Sequence, residues 1–184
     1  MNYFSIFRSL EMGQGESGQR LNRNTVPNFD MSRYEGRWYE IAHIDHLERS
    51  ECQNATSDYR VAPDDTISVT NYCTSPGKAP ERFTGVGYVP DPNVPSKMKI
   101  DFKTSLGFSK LGDYWVVLTD YTSYALVSAG HADYLWILSR TPKMSICRYT
   151  WLVNEAKTFG YNTHQLKLDT NVLKECAAND PRIG

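Results

Sequence analysis

Between residues 38 and 140 the chain divides into eight strand-length segments with short connections, and no other feature constrains its fold as tightly. The segments are 38–44, 55–61, 66–72, 82–89, 97–103, 114–119, 124–128 and 133–140. Each is too short for an ordinary helix, and several alternate with a period of two. In the fifth, Met98, Ile100 and Phe102 stand against Lys97, Lys99, Asp101 and Lys103, one dry face and one wet. In the third, Ile67, Val69 and Asn71 stand against Ser68 and Thr70. Pro, Gly, Asn and Asp cluster between segments, at 62–65, 75–80 and 90–95. Consecutive short strands joined this way pair with their neighbours. Eight in series can close on themselves, which abolishes the sheet's edges. The expected fold is all-β: an eight-stranded antiparallel up-and-down barrel with one C-terminal α-helix packed outside.

The helix is expected at about 142–160. Thr141 can cap it, Pro142 suits its first position, and Gly160 ends it. Met144, Cys147, Trp151, Leu152 and Ala156 fall on one face. A lone amphipathic helix has only the barrel wall to bury that face against. Residues 165–168 suit a short final strand. Upstream, Asp30 or Ser32 can cap a short turn before Gly36, and Trp38 then opens the first strand as a plug for one end of the barrel. The 184 residues thus divide into an N-terminal tail (1–27, aperiodic and rich in Gly, Gln, Asn, Ser and Arg), the barrel (28–172) and a C-terminal tail (173–184).

A net charge of −1 leaves no footprint for nucleic acid. No apolar run approaches the roughly 20 residues of a membrane helix. Cys52, Cys73, Cys147 and Cys176 have no metal-ligand spacing, so neither metal nor cofactor is expected. Their even number allows two disulfides in any of three connectivities. Asn54 opens the sequon Asn54-Ala55-Thr56, a glycosylation candidate in the secretory pathway. Cysteines and sequon favour an oxidising compartment. The apolar stretch at residues 3–7 is shorter than a signal-peptide core and is followed by Glu11 and Glu16, which leaves a cytoplasmic or membrane-peripheral location as the alternative.

Alternation drafts the barrel interior as Tyr59, Ile67, Val69, Asn71, Met98, Ile100, Phe102, Tyr134, Trp136 and Leu138. This lining is apolar and aromatic, with no two ionisable groups placed for acid–base work, so a binding protein is expected rather than an enzyme. The expected partner is a small hydrophobic ligand, each buried methylene contributing about 0.8 kcal/mol. The oligomeric state is left open.

Three motifs, in order, resemble those of the lipocalins. Gly36-Arg37-Trp38-Tyr39-Glu40 is similar to the family's G-x-W motif, Thr119-Asp120-Tyr121 to its T-D-Y motif, and Arg140 to the arginine that precedes its helix. The stretches 37–42, 121–127 and 134–142 resemble the branch that contains the bacterial outer-membrane lipocalin, apolipoprotein D and temperature-induced lipocalin. The resemblance implies binding of fatty acids, lysophospholipids, sterols or similar lipids, a part in membrane maintenance or stress protection, and peripheral membrane contact. It places the pocket on Tyr59, Asn71, Phe102, Trp136 and Leu138. It makes Trp38 the barrel floor, lays Arg140 across it, and makes Asp120 a turn acceptor. By analogy with apolipoprotein D it pairs Cys52 with Cys176, and Cys73 with Cys176 is the rival pairing. The absence of a cysteine before Cys52 implies no lipid anchor. The alternative is a lipocalin-fold enzyme acting on a lipid or isoprenoid through a cavity thiol, Cys52 or Cys73.

Overall fold

A computed structural model describes residues 21–44, 52, 54–103, 109–169 and 173–176. Eight strands follow one another: β1 (Gly36–Ile44), β2 (Asn54–Val61), β3 (Ile67–Thr74), β4 (Glu81–Tyr88), β5 (Lys97–Lys103), β6 (Ser109–Thr119), β7 (Tyr124–Ser128) and β8 (Leu135–Ser139). Each pairs antiparallel with the next, and β1 pairs with β8 to close the barrel. The expected barrel is therefore present. β6 begins five residues earlier than its apolar pattern suggests, because Gly112 lies in the ladder opposite Ile100 rather than in a loop.

β1 changes partners partway along. Gly36 to Tyr39 pair with β2, while Ala42 and His43 pair with β10 (Lys167–Leu168), the short final strand expected from residues 165–168. On its other edge the register against β8 slips between Glu40 and Ala42. This bulge inserts one extra residue and reverses the side-chain alternation beyond it. Ile41, Ala42 and Ile44 consequently bury outward against the helix, with Leu126, Leu135 and Ile137. β7 is buried at all five positions because interior and helix cover its two faces.

The helix corrects the expected start. Helix α2 covers Ile146–Thr158, and Ser145 is its N-cap, accepting from the Arg148 amide at 3.2 Å. Pro142 lies before it, in a turn where the Thr141 hydroxyl donates to the Lys143 carbonyl at 2.7 Å. Met144–Ser145 (β9) is extended and pairs in parallel with Leu173–Lys174 (β11), which prevents the helix from beginning earlier. Leu152 and Ala156 are fully buried against the wall, and Trp151 meets Tyr124 edge-on at 5.2 Å. The helix ends where Gly160 adopts φ +91° and the Tyr161 amide donates to the Ala156 carbonyl.

Residues 21–27, assigned from composition to a free tail, run along the barrel. The Asn22 amide donates to the Phe159 carbonyl at 2.7 Å, the Val26 amide to that of Val116 at 3.0 Å, and the Ser96 hydroxyl to Thr25 at 2.7 Å. The rest of that tail, residues 1–20, and the last part of the C-terminal tail lie outside the described residues.

The disulfides correct the pairing expected by analogy. Cys52 is joined to Cys73 and Cys147 to Cys176, with Cα separations of 5.5 and 5.6 Å. Register explains both. Ala55 faces Cys73 across the β2–β3 ladder, so Cys52, just before β2, reaches Cys73. Leu173 and Lys174 face Met144 and Ser145, and the same offset carries Cys176 to Cys147. Neither Cys52–Cys176 nor Cys73–Cys176 forms.

Candidate functional site: the barrel interior

One end of the barrel is closed by the stretch before β1. Asp30 caps helix α1 (Met31–Tyr34) by accepting from the Ser32 amide at 2.9 Å, which settles the choice between Asp30 and Ser32. Gly36 then turns the chain at φ +94°, a value that glycine adopts without strain, and its backbone passes beside Arg140. Trp38 is fully buried, and its indole N–H donates to the Tyr34 carbonyl at 2.9 Å. The Arg140 guanidinium lies 3.8 Å from the centre of the indole ring. It donates to four carbonyls: Tyr121 (2.9 Å), Arg37 (3.0 Å), Arg33 (3.1 Å) and Tyr34 (3.1 Å). A planar five-donor fork suits this arrangement where a lysine would not. Burial pulls the guanidinium below its ordinary pKa.

The β6–β7 turn completes the floor. Asp120 accepts from the amides of Thr122, Ser123 and Tyr124 and from the Ser123 hydroxyl. Burial pushes its carboxyl up, but these hydrogen bonds outweigh burial and leave it below the usual value. The Thr119 hydroxyl donates to the Tyr124 carbonyl and accepts from the Tyr121 amide. Tyr121, at φ +67°, stacks on Phe29.

Above the floor, burial grades along the barrel. Tyr59, Ile67, Val69, Met98, Ile100 and Leu138 are packed at 5% exposure or less. Phe102, Trp136 and Asn71, nearer the far end of their strands, face the same interior but are only partly buried. Gly85 makes room for Phe102: a Cβ there would lie 2.8 Å from the ring and 3.0 Å from the Asp101 carbonyl oxygen. Tyr134 precedes β8 in the β7–β8 turn, where its ring stands edge-on to His131 at 5.9 Å.

The interior is less uniformly apolar than alternation suggests. Tyr34 and Tyr114 share a hydrogen bond of 2.8 Å, and Tyr59 is hydrogen-bonded to both Tyr114 and Ser57. Burial pushes the Tyr59 phenol up to about 12; its hydrogen bonds oppose the shift, and the nearby Glu40 charge adds to it. Burial likewise raises Tyr34 and Tyr114 well above the ordinary phenol value. Glu40 and His43 also face inward, paired across the ladder with Leu138 and Trp136, and their side chains meet at 2.7 Å. Simple alternation from Trp38 would have sent Ala42 inward; the bulge puts His43 there. Asn54 opens β2 at an exposed position. Among the described residues no cluster of His, Cys, Asp and Glu could hold a metal ion. Cys52 and Cys73 are joined to each other, so the thiol required by the enzymatic alternative does not exist in this state.

A closed barrel of eight antiparallel strands, floored at one end, braced by a single outer helix and lined with apolar side chains, defines a β-barrel cup. Residues 29–171 match the model of the lipocalin-like domain, and the chain belongs to the lipocalin family. Among curated relatives, the Vibrio cholerae outer membrane lipoprotein Blc is 32% identical over 77% of this chain and 82% of its own. Arabidopsis thaliana temperature-induced lipocalin-1 is 33% identical over 80% and 82%. Rat apolipoprotein D is 33% identical over 80% and 79%. Among solved structures, insecticyanin from the tobacco hornworm Manduca sexta superposes with a TM-score of 0.62 at 23% identity, covering 80% of this chain and 85% of its own. That likeness shows the fold.

Proposed function

We propose that this lipocalin binds a small hydrophobic ligand of fatty-acid, lysophospholipid or sterol size in the upper half of its barrel and carries or sequesters it without chemical change. One observation carries the reading. Phe102 and Trp136 point into the interior yet keep part of their surface accessible, while the side chains below them are close-packed. Apolar surface held open inside a barrel is surface that a hydrocarbon chain can cover, at about 25 cal/mol per Å². The two disulfides fit an oxidising compartment. Among the described residues no helix is long and apolar enough to cross a membrane. The similarity to an outer membrane lipoprotein and to a temperature-induced lipocalin supports work at a membrane surface in maintenance or stress protection. Native mass spectrometry of the purified protein tests the binding reading. Retention of a lipid-sized mass that delipidation removes and added lipid restores is the expected result. A chain that neither retains nor takes up lipid refutes it.

A further inference from the structure

The close packing below Phe102 has an exception. Tyr114 stands on the inner face of β6 opposite Met98, nearer the floor than Phe102. Around it Tyr34 and Tyr59 are 0% and 3% exposed, yet Tyr114 is only partly buried. The strand itself supplies the reason. Two residues nearer the mouth, on the same face, is Gly112, which carries no side chain to lie over the Tyr114 ring. The ring is left open from above.

The Tyr114 hydroxyl also belongs to a row of four. It shares a hydrogen bond of 2.8 Å with Tyr34, and Tyr59 is bonded both to it and to Ser57. In the order Tyr34, Tyr114, Tyr59, Ser57, the four oxygens carry four protons but make three bonds among themselves. Whichever way these bonds run, one O–H has no acceptor within the row. When they all run towards Tyr34, the spare proton sits on a fully buried phenol, where an unmade bond costs most. One arrangement strands no proton. Tyr34 and Tyr59 both donate to Tyr114, Ser57 donates to Tyr59, and Tyr114 donates to an oxygen brought by a ligand. A phenol that accepts two hydrogen bonds is also a stronger donor, because bonds in series polarise one another. Burial holds the three phenols protonated, so the donor is present at neutral pH.

We infer that Tyr114 is a hydrogen-bond donor at the lower end of the ligand site, selecting lipids whose leading end carries a ketone, aldehyde or ester carbonyl. This rests on the binding reading above and takes the ligand deeper than that reading requires. The carbonyl enters first and the hydrocarbon tail rises past Phe102 and Trp136 towards the mouth. A carbonyl suits the row better than a hydroxyl does. It accepts the Tyr114 proton and adds none of its own, whereas a hydroxyl brings a further proton that needs an acceptor.

The experiment uses the full chain and two uncharged ligands of equal length, methyl nonyl ketone and n-undecane, each titrated in competition with the fluorescent probe phenylnaphthylamine. Tyr114→Phe keeps the ring and removes the hydroxyl, and thermal melting checks its fold. It is expected to weaken the ketone at least about fivefold more than the alkane. Infrared difference spectroscopy of the wild-type complex should place the ketone C=O stretch below its frequency in hexane, and Tyr114→Phe should move it back. Equal weakening of the two ligands, or a wild-type stretch at the hexane frequency, overturns the inference and leaves the binding reading standing. So does a barrel that binds the probe but neither ligand. A barrel that binds none of the three overturns both. If Tyr114→Phe does not fold, the wild-type stretch decides alone.

Discussion

Replacing Arg140 with alanine removes the side chain that ties the floor together, and the loss can be worked from its contacts. Four hydrogen bonds disappear. The carbonyls of Arg33 and Arg37 are bonded at exposed positions and can be rehydrated, so they count for little. The bonds to Tyr121 and Tyr34 are partly buried. Taken at the low end of the range for charged donors, the two together contribute about 3 kcal/mol. The guanidinium–indole contact adds about 0.5–1 kcal/mol. The expected loss is therefore about 3–4 kcal/mol. For a domain of this size, where 1 kcal/mol shifts Tm by about 2–4 °C, it corresponds to a drop of roughly 6–16 °C. Urea unfolding followed by tryptophan fluorescence measures the loss directly. Arg140→Lys keeps a charge over the indole but not the fork, and should fall between the two. A loss below about 1 kcal/mol for the alanine variant would show that these bonds merely replace bonds to water, and would refute the reasoning.

Other expectations follow from the same geometry. Non-reducing peptide mapping should recover Cys52–Cys73 and Cys147–Cys176 and no bridge from Cys52 to Cys176; each closed loop contributes about 3 kcal/mol in the chain-entropy model, so reduction should lower the urea midpoint markedly. Gly85→Ala should displace the Phe102 ring, destabilise by about 1–3 kcal/mol and weaken ligand binding, as chemical denaturation and titration would show. The Tyr59 phenol, raised by burial to about 12, favours the folded state fully below the unfolded phenol pKa of about 10; this contribution is lost as pH rises from there through 12. Phenolate absorbance should show a late-titrating class that merges with the rest on unfolding. Ser145→Ala removes the cap of α2 and should cost about 1 kcal/mol by thermal or urea melting.

The barrel was readable in the chain because its strands alternate and its turns carry breakers. The Ile67–Asn71 and Met98–Phe102 segments each reveal an inner face in a few residues. The floor was readable because Trp38 and Arg140 are unusual side chains at recognisable places. What escaped depended on tertiary register. The bulge after Glu40 has no local marker, since Ile41-Ala42 is an unremarkable strand dipeptide, yet it decides that His43 and not Ala42 faces inward. Tyr114 was within reach: it stands opposite Met98, whose inward direction alternation had already established. The disulfides escaped because the register of β11 against β9, which brings Cys176 to Cys147, rests on two residue pairs. The docking of residues 21–27 has equally little local signal, being held by a few backbone bonds and the side chains of Leu21 and Val26.

A hydrocarbon ligand bound as proposed lies inside the barrel beside Trp136. Of the four tryptophans, Trp38 lies in the floor, Trp115 faces outward beneath Lys97, and Trp151 packs between α2 and the wall. Titration with a long-chain alcohol brominated along its tail therefore isolates Trp136, because bromine quenches only indoles it approaches closely. A ligand in the barrel predicts saturable quenching that Trp136→Phe largely abolishes, with binding itself still detectable by native mass spectrometry. Quenching that is absent, or that survives unchanged in Trp136→Phe, would contradict it.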